Sequence, residues 1–68
     1  MMQDAGEVKT IDRARLTGII ESAGLQYSFS RGDVEGELFD SLSVCMDVEF
    51  DPIGTEDSPR AARVRPIS

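Results

Sequence analysis

At 68 residues the chain has room for a single domain, residues 1–68, which buries only about 60% of its unfolded surface. One cysteine and no histidine exclude an internal disulfide framework and remove the commonest general base and metal ligand. The net charge of −6 is concentrated in residues 31–57, where nine acids face one base for a net −8, whereas residues 58–68 hold three arginines and no acid. Such a surface repels polyanions and suits a basic protein partner or plain solubility. No apolar run approaches the roughly 20 residues of a membrane span and no signal-peptide pattern is visible, so the expected location is the cytoplasm.

In chain order, residues 1–5 are expected to fray. Glu7 to Ile11 is a short strand candidate carrying Val8 and Ile11, and Asp12 to Arg15 reads as a polar turn. Leu16 to Glu21 is a second strand candidate, closed by Ser22-Ala23-Gly24. Here the pattern leaves an alternative, because Leu16, Ile19 and Ile20 also have helical spacing within 12–23 and Gly24 could end such a helix. Tyr27-Ser28-Phe29-Ser30 alternates aromatic with hydroxyl side chains. Residues 31–41 form an acidic, glycine-containing loop with Val34, Leu38 and Phe39 as anchors. Strict alternation returns over 44–51, with Val44, Met46, Val48 and Phe50 on one face and Asp47, Glu49 and Asp51 on the other. A turn-rich loop from Pro52 to Pro59 leads to a last strand over 61–67. Five short strands with turn signals between them predict a small all-β barrel or sandwich.

The pattern Gly6-x-Val8-Lys9, Gly18-Ile19-Ile20, Gly36-x-x-Phe39-x-x-Leu42, Val48-x-Phe50 and Pro59-x-Ala61-Ala62-x-Val64 resembles the cold-shock domain family. The match runs from Gly6 to about Ile67, with one residue missing in the Gly24–Gln26 turn. This resemblance implies a five-stranded antiparallel OB-fold-type barrel and favours strand over helix at 16–21. It also implies a face of exposed aromatics and flanking bases for single-stranded RNA or DNA, because unstacked bases lie on aromatic rings while Lys and Arg follow the phosphates.

Residue by residue, that face is nearly all replaced. The family's Lys-Gly-Phe-Gly-Phe-Ile motif falls on Arg15-Leu16-Thr17-Gly18-Ile19-Ile20, and Val-Phe-Val-His-Phe falls on Tyr27-Ser28-Phe29-Ser30-Arg31. Thr10 stands where a tryptophan is expected. Of the stacking set only Phe39 remains, with Lys9 and Arg15 keeping their charge. Core positions Val8, Ile20, Tyr27, Phe29, Val34, Val48, Phe50 and Val64 stay apolar. Losing about five rings at ~1 kcal/mol each weakens binding more than about a thousandfold.

The expected contact face is therefore Lys9, Thr10, Arg15, Thr17, Ile19, Ser28, Ser30, Arg31 and Phe39. Its occupant is expected to be a protein with a basic surface. The alternative is weak or atypical binding of single-stranded RNA or DNA through Lys9, Arg15, Arg31 and Phe39. Lys9, Arg15 and Arg31 also read as ordinary solvated charges, and Phe39 as a cap on the barrel beneath its loop. Arg60, Arg63 and Arg65 could contact phosphates or an acidic partner, but such a run more often solvates an edge strand and discourages edge pairing. Asp47, Glu49 and Asp51 recur about 7 Å apart along a strand, too wide for a compact metal shell. Thr17, Ser28 and Ser30 have no base to activate them, and Cys45 has neither a partner cysteine nor a histidine. No enzyme activity, cofactor or metal is expected.

Overall fold

Residues 4–67 are described in a computed structural model, with the side chains of Glu37 and Leu38 excepted. The frayed start expected at Met1–Gln3 and the Leu38 anchor lie outside the described residues. Alternating side chains build five strands: β1 (Asp4–Asp12), β2 (Thr17–Ser22), β3 (Leu25–Ser30), β4 (Asp47–Gly54) and β5 (Pro59–Pro66). They close into a barrel in the order β1-β2-β3-β5-β4. The pairing is antiparallel except at the β3–β5 seam, where Ser28 faces Arg60 in a parallel bridge. The result is an all-β, OB-like barrel with no α-helix among the described residues.

At the first turn, the helical alternative for residues 12–23 loses to a reversal organised by Asp12. Its Oδ1 accepts the backbone N–H of Ala14 and of Arg15, each at 3.1 Å, and Leu16 follows at φ 59°. This brings Thr17 opposite Asp12 and starts the β1–β2 ladder.

All eight apolar positions expected in the core are buried, joined by Phe39, Leu42 and Ala61. Burying each of the larger ones stabilises the fold by roughly 1.5–3 kcal/mol. Two bulges explain why the inward positions are not strictly alternate. The β1–β2 register shifts between Val8 and Thr10, so that Val8 and Ile11 both turn to the core. Opposite Glu49–Asp51, β5 carries one extra residue around Arg63, at φ 54°, and Ala61 and Val64 both point inward.

Several expected boundaries move. Asp4 and Ala5, assigned to a frayed start, pair with Phe50 and Glu49. The strand expected from Val44 begins at Asp47, and Val44 is 54% exposed. The cause is a turn, since Met46 N–H donates to Ser43 O at 3.1 Å and Cys45 adopts φ 75°. At its other end β4 runs on through Pro52–Gly54, assigned to a loop, because these residues pair with Pro59–Ala61. The acidic loop is wound into short 3-10 segments, Arg31–Asp33 and Glu35–Ser41. Nor is β5 an edge: it lies between β3 and β4, and its arginines are paired rather than merely solvated.

Candidate binding face

Because the ladders hold β1, β2 and β3 in register, outward side chains fall into rows. Thr10, Ile19, Ser28 and Arg60 form one row across β1, β2, β3 and β5, and Asp12, Thr17 and Ser30 form a second. These seven residues line an open hollow of ≈ 680 Å³ together with Gly18 and Phe29. Gly18 is required there: a Cβ would meet Phe29 Cζ at 2.6 Å and the Thr10 carbonyl at 2.8 Å. The Phe29 ring thus fills the space beneath the face, and the surface above it carries hydroxyls and one aliphatic side chain.

Polar groups at the margin are already engaged. Asp33 Oδ2 accepts from the Ser30 N–H at 3.0 Å, the Ser30 hydroxyl at 3.2 Å and Arg60 Nη2 at 3.2 Å. The Ser28 hydroxyl donates to Pro59 O at 3.4 Å. Asp12 combines its turn bonds with an ion pair to Arg15 at 3.9 Å, and the Arg15 side chain is 84% exposed. Together the hollow offers hydroxyl donors and acceptors, a short apolar stripe, a carboxylate at one end and a neutralised guanidinium at the other.

Of the nine expected contact residues, the fold gathers Thr10, Thr17, Ile19, Ser28 and Ser30 into this hollow. Lys9 is on the bulge and faces Glu21 at 3.3 Å and Glu7 at 3.8 Å. Its hydrogen bond to the Glu21 carboxylate, helped by the charges of Glu21 and Glu7, holds its ammonium above the ordinary lysine value of 10.5. Arg15 stands outside the hollow, and Arg31 lines a separate one with Gly32, Val34 and Gly36. Phe39 is only 1% exposed and meets Phe29 edge-on at 6.3 Å. It is a core ring capping the barrel under its loop, and is not available for stacking.

Asp12 and Arg60 join the face in addition to the residues the sequence points to. Local pattern places Asp12 in a turn, and Arg60 enters through the parallel seam, for which local periodicity carries no signal. The expected acidic strip on β4 is divided among arginines: Glu49 meets Arg65 at 3.1 Å and Asp51 meets Arg63 at 3.5 Å. No family model matches the chain, and no curated protein matches it. What fold and face define together is a class: an OB-like barrel whose β1–β3 surface is hydroxylated and aliphatic.

Proposed function

We propose that this chain is a cold-shock-like protein-interaction module, with single-stranded nucleic-acid binding lost or strongly weakened and a partner protein of basic surface in its place. One observation carries the proposal: the Thr10–Ile19–Ser28 row has no aromatic side chain, while Phe39, the last candidate for stacking, is in the core. Without a π-face, the roughly 1–3 kcal/mol per stacked base is missing. Arg60 in the hollow and Arg15 beside Asp12 already face carboxylates, so phosphate binding there would have to displace those contacts, and Arg31, which has no ion pair among the described residues, lines a separate hollow. Hydroxyls beside an apolar stripe suit a protein surface of mixed character, and the acidic 31–57 region steers a basic one toward it.

The test is an amide-shift titration of labelled protein with short pyrimidine-rich and mixed single strands at low salt. A flat titration on a well-dispersed spectrum is expected. Saturating shifts at Lys9, Arg15 and Ser28 that weaken steeply with salt would reverse the proposal in favour of a nucleic-acid ligand.

A further inference from the structure

A second hollow, of ≈ 420 Å³, shares no lining residue with the β1–β3 face. It is lined by Leu25 and Tyr27 of β3, Pro52, Ile53 and Gly54 of β4, Thr55 and Glu56 of the β4–β5 loop, and Pro59 at the start of β5. Its volume is within the about 300–1,000 Å³ of ordinary ligand pockets. Leu25 and Ile53 are 53% and 48% exposed, large apolar side chains left in water on either side of it.

The origin of the hollow is in the strand pairing. Leu25 has the same alternation as Tyr27 and Phe29, so it continues the inward side of β3 past the closed part of the barrel. There β3 pairs only with β2, since the seam with β5 is the single Ser28–Arg60 bridge. Pro59 opens β5 at this point and has no N–H to extend the seam. An apolar groove therefore adjoins a stretch of strand edge, the combination that accepts an added extended segment.

The rim decides what kind of segment. Glu56 lines the groove, and Asp57 follows it at the exposed tip of a loop closed by reciprocal Thr55–Ser58 backbone bonds at 3.4 and 3.2 Å. The nearest base in sequence, Arg60, is held by Asp33. A second copy of the chain would bring its own net charge of −6 against this rim. We infer that the groove between Leu25 and Ile53 docks an extended segment of a partner protein, with an apolar side chain in the groove and lysine or arginine beside Glu56 and Asp57.

Two peptides test this on the intact labelled protein: a capped heptapeptide Ser-Lys-Thr-Leu-Thr-Arg-Ser, and the same peptide with glutamate for both bases. The basic peptide should give saturating shifts at Leu25, Tyr27, Ile53 and Thr55. The acidic peptide should bind at least about tenfold more weakly, as should the basic peptide to the Leu25→Ser and Ile53→Ser variants, both changed at exposed positions. A flat titration with the basic peptide, equal binding of both peptides, or indifference to both substitutions overturns the inference. Concentration-dependent shifts at these residues without peptide make a second copy the occupant and overturn it likewise. Shifts confined to Thr10, Ile19 and Ser28 assign the peptide to the other face, so the two sites fail separately.

Discussion

Phe39 is the residue at which a core position and a binding position make opposite predictions. Its ring is 1% exposed, packs edge-on against Phe29 at 6.3 Å, and ties the Glu35–Ser41 segment to the barrel. Truncation by Phe39→Ala should remove about 3–5 kcal/mol through lost burial and the cavity left behind. A 68-residue domain has only about 3–10 kcal/mol in total. With a urea slope near 1 kcal/mol/M for so small a chain, the midpoint should fall by about 3 M or more, enough to leave much of the variant unfolded in buffer. Urea titration followed by far-ultraviolet circular dichroism measures this directly, with Ser28→Ala as an exposed control expected within ~0.5 kcal/mol of the parent. A loss below about 1 kcal/mol for Phe39→Ala would put the ring outside the core and return it to the list of stacking candidates.

Restoring rings to the outer face by Thr17→Phe, Ile19→Phe and Ser28→Phe should raise oligonucleotide affinity by more than about a hundredfold, from three stacking contacts at ~1 kcal/mol each. Fluorescence anisotropy at low salt reads it, and no gain on a folded variant would show that more than the platform is missing. Gly18→Ala should destabilise by about 1–3 kcal/mol, because both the Phe29 ring and the Thr10 carbonyl occupy the Cβ position; thermal melting checks it, and an unchanged midpoint would contradict that packing. The raised Lys9 pKa makes its ion pairs stabilising below the ordinary value of 10.5, with the contribution lost as pH climbs through the higher folded value. The difference in melting temperature between the parent and Lys9→Met should therefore shrink above that pH; a constant difference would mean that Lys9 acts through packing.

Much of the barrel is legible in the chain because period-2 alternation reports directly on a half-buried strand. Tyr27-Ser28-Phe29-Ser30 divides as its pattern predicts, with both rings buried and Ser28 exposed. What local pattern cannot carry is the effect of an inserted residue. Val44 continues the alternation of Met46 and Val48, yet a turn at Ser43–Met46 takes it out of the strand. Conversely, Pro52 and Gly54 look like breakers but are tolerated where β4 meets only the short β5 hairpin. The site was half visible for a related reason. Its β1–β3 rows follow from sequential antiparallel pairing, whereas Arg60, and the groove between Leu25 and Ile53, arise where strands distant in sequence meet or fail to meet.

The distribution of charge links the two surfaces. A net −6 does not leave free carboxylates everywhere: Glu35 and Glu49 face Arg65, Asp51 and Glu35 face Arg63, Asp33 faces Arg60, and Glu7 with Glu21 faces Lys9. Exposed pairs of this kind contribute about 0–1 kcal/mol each, too little to explain the arrangement as stabilisation alone. Their larger effect is on what remains unpaired. Lys9, Arg15, Arg60, Arg63 and Arg65 are occupied by carboxylates around the barrel wall, whereas Arg13 donates to the Leu42 carbonyl and Arg31 has no ion pair among the described residues. Glu56 and Asp57, at the loop tip, have no ion pair among the described residues. Asp4, Asp40 and Asp47 are unpaired in the same sense elsewhere on the barrel, but Glu56 and Asp57 are the two that set uncompensated negative charge beside the apolar groove, where a basic segment gains from it.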